Sequence, residues 1–302
     1  MNEADFLDAL RALPIHVAAR GLRDDVARLI HAPLVVTTDT LVEGVHFLPD
    51  DPPADVAWKL VATNLSDIAG KGARPEGILL NYPLSDEDWD RAFLVGLGAV
   101  LTACGTGLLG GDTVTLPRGA PRILTVTAFG GDTPAPPRGG AGENDALWVT
   151  GTIGDAGAGL AIARGKPGPA ALADRYRRPM PRLAEGRVLS RVAHAMMDVS
   201  DGLLIDAARM GAASGLAVEI DLAAVPLSVD YRAHRGDDRG ARLAAATAGD
   251  DYELLFAMPA NTVPAVPATR IGRFRRGAGL WLQDDGDAVP LPPSLGFQHR
   301  SA

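Results

Sequence analysis

The sequence predicts an α+β protein built from two domains of similar size. Its 302 residues are about twice the length of an average domain. Short apolar strands and helices alternate at intervals too irregular for a repeated β-α-β unit, which disfavours a doubly wound sheet. Residues 130–144 are dense in Gly and Pro, a composition typical of a linker. We therefore predict an N-terminal domain over residues 1–139 and a C-terminal domain over residues 140–302.

The first half begins with a short amphipathic helix, predicted over residues 3–13. Two longer helices follow, and each carries its own start signal. Pro53 opens a helix over residues 53–73, and Ser85 is the expected N-cap of a helix over residues 86–104. Apolar, β-rich runs predict the strands of this half at residues 34–38, 78–82, 107–109 and 123–129.

The second half again mixes strands and helices. A strand at residues 146–149 leads through a glycine-rich turn into a helix over residues 155–164. Further helices are predicted over residues 180–193 and 203–213. The remaining apolar runs predict strands at residues 196–199, 218–220 and 252–257.

Composition excludes several classes of protein. The formal net charge is −8, which argues against a nucleic-acid binder and against a polybasic membrane contact. Cys104 is the only cysteine, so no intrachain disulfide can form and a cysteine-based zinc site is not expected. No run of about 18 apolar residues is present, and the acidic N-terminus is unlike a signal peptide. We expect a cytoplasmic protein.

Common nucleotide-binding motifs are missing from the sequence. It contains neither the G-x-x-x-x-G-K-[ST] phosphate loop nor the motif set of protein kinases. Residues 151–159 are glycine-rich and lie between a predicted strand and a predicted helix, but their spacing is wrong for a dinucleotide fingerprint. These glycines suit a tight turn and close packing, and phosphate contact at the helix start is the alternative.

Aspartates at strand ends and in glycine-rich turns are the positive signal. Asp39 follows two threonines, Asp112 follows two glycines, Asp67 lies in N-L-S-D, and Asp198 and Asp201 lie in D-V-S-D-G. Carboxylates beside hydroxyl groups are ligands that suit Mg²⁺. Two bare carboxylates ~4 Å apart repel by roughly 4 kcal/mol at an effective dielectric of about 20. If these aspartates converge, divalent cations must compensate, and if they do not, each is an ordinary turn residue.

Taken in order, these motifs resemble those of the thiamine-monophosphate kinase family, within the aminoimidazole ribonucleotide synthetase-like superfamily. The N-x-S-D and S-D-G-L elements recur across that superfamily, whereas D-T-L-V-E-G-V-H-F is much more specific to the kinases. The resemblance extends from about residue 24 to residue 297, nearly the whole chain. The stretches that carry it are residues 37–47, 64–69, 110–113, 149–155, 198–203 and 251–254.

The resemblance implies two α/β domains of the aminoimidazole ribonucleotide synthetase type, with the active site in the cleft between them. It implies a homodimer paired through N-terminal strands. The implied reaction is direct in-line transfer of the γ-phosphoryl group of ATP onto thiamine monophosphate, assisted by several Mg²⁺ ions. No residue is expected to act as a general base, because the attacking phosphate is already an anion.

The same resemblance implies the site residues. The residues that match metal-ligand positions are Asp25, Thr37, Thr38, Asp39, Asp67, Asp112, Asp198 and Asp201. Those that match nucleotide contacts are Gly111, Asp112, Arg138 and Ser200. His46, Asp250 and Phe297 match positions on the thiamine side. A packed or capping role is the alternative for His46, and packing of the chain end is the alternative for Phe297.

Three departures from the family pattern affect the site. Arg23 replaces a glycine and puts a cation beside Asp25. Lys71 replaces an apolar residue and, four residues after Asp67, could form an ion pair with it in competition with a metal. Asp250 replaces a glutamate at the substrate position, which shortens that side chain by one methylene group.

Two other functions stay open. One is a different ATP-using synthetase of the superfamily, acting on a formylglycinamidine ribonucleotide or on selenide. A selenide enzyme would need a reactive thiol or selenol near the N-terminus, and Cys104 does not fit that position. The other is a non-catalytic nucleotide-binding protein, which Arg23 and Lys71 would favour.

Overall fold

The computed structural model describes residues 23–24, 27–29, 34–84 and 86–299. The helix predicted over residues 3–13, Ser85 and the expected metal ligand Asp25 lie outside the described residues. Both halves of the described chain combine a sheet with helices, as predicted. The division predicted between residues 139 and 140 falls in the connection between the two sheets and stays a prediction.

Five described strands form the N-terminal sheet. They are β1 (Ala27–Leu29), β2 (Leu34–Val42), β3 (Arg74–Leu84), β4 (Leu108–Thr115) and β5 (Ile123–Gly131). Their order across the sheet is β1-β2-β5-β3-β4. Neighbouring strands are antiparallel except β3 and β4, which are parallel. The G-G-D-T stretch therefore lies inside edge strand β4 and not in a turn after it.

Two helices cover one face of this sheet, α1 (Pro53–Gly70) and α2 (Glu87–Ala103). α2 begins after Asp86, whose carboxylate accepts a hydrogen bond from the backbone N–H of Trp89 at 2.9 Å. Asp86 is therefore the N-cap, one residue after the predicted cap Ser85, because its side chain reaches the first free amides of the helix.

Seven described strands form the C-terminal sheet. They are β6 (Ala146–Thr150), β7 (Ala195–Asp198), β8 (Ala217–Asp221), β9 (Leu254–Met258), β10 (Ala268–Arg275), β11 (Leu280–Asp284) and β12 (Asp287–Val289). Their order is β12-β11-β8-β10-β6-β9-β7, and only the β8–β11 pair is parallel.

Six described α-helices belong to the C-terminal half. They are α3 (Asp155–Ala163), α4 (Ala170–Arg177), α5 (Leu183–Leu189), α6 (Leu203–Ser214), α7 (Val229–Arg235) and α8 (Arg239–Ala246). Side chains of α3, α6 and α8 join the larger of the apolar clusters on the C-terminal sheet.

Helix α1 is buried on nearly all sides because it lies between the two sheets. It packs on the N-terminal sheet, and its C-terminal end contacts β7 and α5 of the other half. The approach is close: a Cβ at Gly186 would lie 2.1 Å from the carbonyl oxygen of Ala69. A Cβ at Gly70 would lie 3.2 Å from the backbone nitrogen of Asp198. Residues on opposite sides of α1 can therefore reach both halves.

Gly96 and Gly98 on α2 provide a matched test of how α2 packs against α1. A Cβ at Gly96 would lie 2.2 Å from the carbonyl oxygen of Ala54, whereas nothing lies within 4 Å of a Cβ at Gly98. We expect Gly96→Ala to destabilise the protein by about 1–3 kcal/mol through overpacking. Gly98→Ala should stabilise it by roughly 0.5–1 kcal/mol, because alanine loses less backbone entropy in a helix. Urea denaturation measures both values, and equal effects would contradict this packing.

Candidate active site

Two residues of α1 bind the middle of strand β2. The side-chain oxygen of Asn64 accepts a hydrogen bond from the backbone N–H of Asp39 at 2.9 Å, and the Thr37 hydroxyl donates one to Asp67. Asn64 and Asp67 are three residues apart on the helix and so face the same side. The N-L-S-D sequence therefore holds Asp67 next to the strand that carries Asp39.

Ser66 faces the other half of the protein. Its hydroxyl donates a 2.6 Å hydrogen bond to the carboxylate of Asp198, the last residue of β7, and both side chains are buried. Ser66 thus binds the carboxylate of Asp198 from the C-terminal half, and the next residue, Asp67, provides a carboxylate from α1. This helix is what brings Asp67 and Asp198 into one region.

Four aspartates from both halves influence one another, and we call Asp39, Asp67, Asp198 and Asp201 the acid cluster. Burial, and then the charge of Asp201, raise the pKa of Asp39 to about 6. Burial raises the pKa of Asp67 well above its usual range, and the charges of Asp39 and Asp198 add to this. Burial also raises the pKa of Asp198 to about 7, although the hydrogen bond from Ser66 opposes the rise. The aspartates predicted from the sequence to bind metal thus converge at these four positions.

The acid cluster is open and does not form a closed metal centre. In the part of the chain that the structure describes, no three His, Cys, Asp or Glu side chains are grouped closely enough to hold a metal ion by themselves. Mg²⁺ usually keeps several waters and takes only one or two carboxylates together with phosphate oxygens. A few carboxylates with room for water and phosphate oxygens therefore suit Mg²⁺.

The D-V-S-D-G turn is held by Asp206, which sequence reasoning missed. Its buried carboxylate accepts hydrogen bonds from the backbone N–H groups of Ser200, Asp201 and Gly202 at 3.1, 3.0 and 3.3 Å. Arg209 donates to Asp206 at 2.9 Å and to Asp201 at 2.5 Å. Burial raises the pKa of Asp206 to about 6. A carboxylate in the first turn of a helix, where amide donors are free, is the signal that could have found it.

Arg138 lies beside the acid cluster. Burial lowers the pKa of its guanidinium, while the charges of Asp24, Asp206 and Asp198 oppose that change. Arg209 belongs to the same neighbourhood, since its charge also acts on Arg138. Two guanidinium groups beside carboxylates form an arrangement that can also bind phosphate oxygens.

Lys71 does not form the ion pair predicted with Asp67. α1 ends at Gly70, so the backbone of Lys71 has already left the helix, and its buried ammonium lies 2.6 Å from an oxygen of Asp24. Its charge still lowers the pKa of Asp67 from a distance, against the larger effect of burial. Arg23, the other added cation, is exposed.

The three residues expected on the thiamine side lie in one neighbourhood, together with Lys59 and His299. The ammonium of Lys59 lies 2.8 Å from Asp250 Oδ2 and 3.0 Å from the carbonyl oxygen of His46. The ring of His299 lies 5.2 Å from that of His46 and 4.9 Å from that of Phe297. We call these five residues the aromatic-side group.

Backbone hydrogen bonds join the aromatic-side group to the D-V-S-D-G turn. The N–H of Phe297 donates to the carbonyl oxygen of Asp201 at 2.9 Å, and that of Asp250 donates to Ser200 at 2.7 Å. His46 also has a structural role, because its Nδ1 accepts the backbone N–H of Val42 at 2.9 Å. Burial, followed by the charge of His299, lowers the pKa of His46.

Gly111 and Asp112 lie far from the acid cluster within one chain. Strand pairing aligns Gly111 on β4 with Asp39 on β2 across β3 and β5. Three strand spacings separate the two residues, which is about 14 Å. Thr38 and Asp112 are exposed on the sheet face that the helices leave uncovered. The structure therefore brings Thr37 to the acid cluster, but not these three residues.

Comparison with known proteins gives the family. The sequence profiles for the N-terminal and C-terminal domains of AIR synthase related protein match residues 23–131 and 142–280. The thiamine-monophosphate kinase of Salmonella typhimurium is 38% identical, over 85% of this chain and 81% of that protein. The thiamine-monophosphate kinase of Escherichia coli K12 is 37% identical, over 95% of this chain and 94% of that protein. This chain belongs to the thiamine-monophosphate kinase family.

Solved structures of the thiamine-monophosphate kinase family share the fold. The structure of AaThiL complexed with AMPPCP and TMP matches with a TM-score of 0.86 at 28% identity, over 99% of this chain and 97% of that one. The Stenotrophomonas maltophilia thiamine-monophosphate kinase matches with a TM-score of 0.75 at 36% identity, over 94% and 96%. The two-domain fold implied by the resemblance is confirmed. The hydrogenase maturation protein HypE in complex with ATP, at 21% identity and a TM-score of 0.72, shows the shared fold alone.

The raised pKa of Asp198 predicts how the stability of this kinase-family protein depends on pH. That pKa is about 7 in the folded protein and about 4 in an unfolded chain. The folded state therefore binds the proton more tightly, so the contribution of Asp198 to stability is full below about pH 4 and is lost as the pH rises through about 7. In buffer with a chelator, we expect Asp198→Asn to raise the melting temperature by roughly 3 °C or more at about pH 8, with little change at about pH 5.

Asp51→Asn is the control for this prediction. Asp51 is also buried, but it lies 2.8 Å from the guanidinium of Arg177. Removing its charge breaks that ion pair and should lower the melting temperature at both pH values. A melting temperature for Asp198→Asn equal to or below that of the wild type at about pH 8 would contradict the buried charge.

Proposed function

We propose that this chain transfers the γ-phosphoryl group of ATP directly onto the phosphate of thiamine monophosphate, producing thiamine diphosphate and ADP. The observation that carries the proposal is the acid cluster from both halves, joined by the D-V-S-D-G turn to the aromatic-side group. This arrangement occurs in a chain 37% identical to a thiamine-monophosphate kinase over 95% of its length. Its fold matches a structure that holds AMPPCP and TMP.

The chemistry of two phosphates decides what such a site must do. The attacking oxygen is already anionic at neutral pH, so removing a proton contributes little. Repulsion between two polyanions and their in-line alignment form the main barrier. The residues around the cleft supply groups suited to both tasks: carboxylates that attract cations, and the guanidinium groups of Arg138 and Arg209 for phosphate oxygens.

Mg²⁺ ions fit the acid cluster. Burial, and then the negative charge of neighbouring carboxylates, raises the pKa values of Asp39, Asp67 and Asp198, and a divalent cation relieves the repulsion between them. When bound, Mg²⁺ would neutralise part of the negative charge on the phosphate oxygens. Among the ligands that the resemblance implies, we propose that the acid cluster and its neighbour Thr37 bind these ions. Asp25 lies outside the described residues, and Thr38 and Asp112 are on the opposite face of the sheet.

The two substrates belong on different sides of the cluster. ATP is proposed to contact Ser200 and Arg138 beside the D-V-S-D-G turn. Thiamine is proposed to contact three members of the aromatic-side group, His46, Asp250 and Phe297. The rings of His46 and Phe297 offer apolar faces, and Asp250 offers a hydrogen-bond acceptor. The acceptor phosphate then lies between the two groups, beside the acid cluster.

A second copy of the chain is proposed to pack on the uncovered face of the N-terminal sheet. Leu79, Val114 and Ile123 are 37%, 46% and 46% exposed on this face. These apolar side chains share the face with a ladder of threonines, Thr38, Thr40, Thr125 and Thr127, and exposed apolar side chains rimmed by polar ones are typical of an interface. Gly111 and Asp112, the remaining nucleotide-contact residues, lie on β4 at the edge of the same sheet. In a homodimer, these two residues would therefore lie at the edge of the interface with the partner chain.

Leu79→Arg tests the homodimer. A charged side chain in the middle of the proposed interface would be buried without a partner, so we expect this variant to be monomeric. Val263→Arg, at a residue that is 81% exposed outside the sheets, should remain dimeric. Light scattering coupled to size-exclusion chromatography measures both masses. A monomeric wild type at micromolar concentration would refute the dimer.

The chain is proposed to act in the cytoplasm, on the grounds of its composition. Among the residues that the structure describes, no helix has both the length and the apolar character needed to cross a membrane.

An assay with ATP, Mg²⁺ and thiamine monophosphate tests the activity directly. We expect thiamine diphosphate as the product, detected by chromatography. Asp39→Asn and Asp67→Asn should each lower kcat by about 100-fold or more, because each removes a cation-binding carboxylate. Their melting temperatures should be equal to or higher than that of the wild type, because each removes one of several carboxylate charges held together in a partly buried place. Asp237→Asn, on an exposed connection between α7 and α8, should keep wild-type activity.

Two results would contradict these assignments. Folded wild-type protein that binds ATP but forms no thiamine diphosphate would favour the non-catalytic alternative. Full activity of both Asp39→Asn and Asp67→Asn would show that the metal assignment is wrong.

A further inference from the structure

Lys59 is a buried lysine at the contact between the two halves, and the proposed transfer of phosphate does not use it. It lies on α1, and its side chain is only 3% exposed. An ammonium group in such a place costs considerable free energy unless polar or charged groups surround it. The identity of those groups therefore indicates what the charge is for.

The ammonium of Lys59 contacts three groups, and two of them belong to residues on the thiamine side. It lies 2.8 Å from Asp250 Oδ2 and 3.0 Å from the carbonyl oxygen of His46. The third contact is the ring of Tyr176, whose centre is 3.9 Å away. Asp250 and Tyr176 are in the C-terminal half, so Lys59 crosses from one half of the protein to the other.

Asp250 has a backbone conformation that needs support. Its φ is +63°, in the left-handed region that side-chain-bearing residues rarely adopt. Its backbone N–H donates to Ser200, and its Oδ1 accepts a hydrogen bond from the Tyr252 hydroxyl at 3.0 Å. The side chain of Asp250 is still 33% exposed, so it is the member of this network that a ligand can reach.

Lys71 is a second buried lysine near α1, and it allows a comparison with Lys59. Lys71 is also fully buried, directly after the last residue of the helix. Its ammonium contacts Asp24 and the carbonyl oxygens of Pro136 and Met196, none of which is on the thiamine side. The pair with Asp250 is therefore specific to Lys59.

We propose that Lys59 is a positioning residue that holds the Asp250 carboxylate in the orientation in which it binds the thiamine part of thiamine monophosphate. This inference rests on the proposed function. Lys59 fixes one carboxylate oxygen and Tyr252 fixes the other, while the remaining lone pairs accept hydrogen bonds from the ligand. Because the ion pair joins the two halves, the thiamine side is complete only when α1 contacts the turn at residues 249–252.

Lys59→Met is the central test, since it keeps the length of the side chain and removes the charge. We expect the KM for thiamine monophosphate to rise about tenfold or more, the size of effect expected for one charge-assisted hydrogen bond. The KM for ATP should change by less than about twofold, and kcat should change little. Lys59→Arg, which keeps a positive charge, should recover part of the loss.

Two comparisons separate positioning from structural damage. When Asp250 is already changed to Asn, Lys59→Met should add less than about twofold, because both changes act through the same carboxylate. Arg178→Met removes another ion pair between the halves, with Asp55, one turn earlier on α1. It should lower the melting temperature without raising the KM for thiamine monophosphate. Equal rises in both KM values, or additive effects in the double variant, would overturn the proposal.

Calorimetric titration of thiamine monophosphate in the absence of ATP separates this inference from the proposed function. Wild-type binding that weakens about tenfold in Lys59→Met supports the positioning role, and if no thiamine diphosphate forms, the proposed function alone fails. Turnover by the wild type together with unchanged binding by Lys59→Met overturns the positioning role alone. A wild type that neither binds thiamine monophosphate nor forms thiamine diphosphate overturns both.

Discussion

The packing of helix α1 between two sheets is the constraint on which the rest of the site depends. Ser66 on this helix binds Asp198 of the C-terminal half, while Asn64 and Asp67 on another side bind strand β2. Lys59, two turns earlier, reaches Asp250. A single helix thus sets the distance between carboxylates that lie more than a hundred residues apart in sequence. Because the helix is covered on nearly all sides, its polar side chains Lys59, Asn64 and Ser66 are buried and bind groups of one half or the other.

Net charge and local charge have different consequences in this protein. A formal charge of −8 argues against polyanionic polymers as partners, yet it says little about small phosphate ligands. The acidic excess is concentrated in part at the acid cluster, where burial and mutual repulsion raise the pKa values of the carboxylates. A protein can keep such repulsive groups together only if other interactions stabilise the fold, and the paired hydroxyls of Thr37 and Ser66 are among these.

The sequence predicts which chemical groups the site contains more readily than how the fold arranges them. Asp39, Asp67 and Asp198 can be predicted as metal-ligand candidates because carboxylates close to hydroxyl groups form a local sequence pattern. Asp206, Arg209 and Lys59 were missed because their roles depend on partners that only the fold brings near. Asp112 and Thr38 were placed with the cluster, although sheet register puts them on the other face, a fact that spacing along the chain does not contain. Strand β10 was missed because its arginines hide the alternation of apolar residues.

The glycine contacts around α1 also bear on how a ligand enters. With no side chain at Gly186, the backbone of α5 lies directly against the carbonyl of Ala69. Separating the halves would expose Ala69, Met196 and Phe256, which are fully buried at this seam. The packing along α1 therefore opposes a hinge motion that would separate the two halves. Ligands then enter the cleft past the loops at its edge, such as the turn at residues 249–252. Substitutions in these loops can change substrate preference without disturbing the packing between the halves.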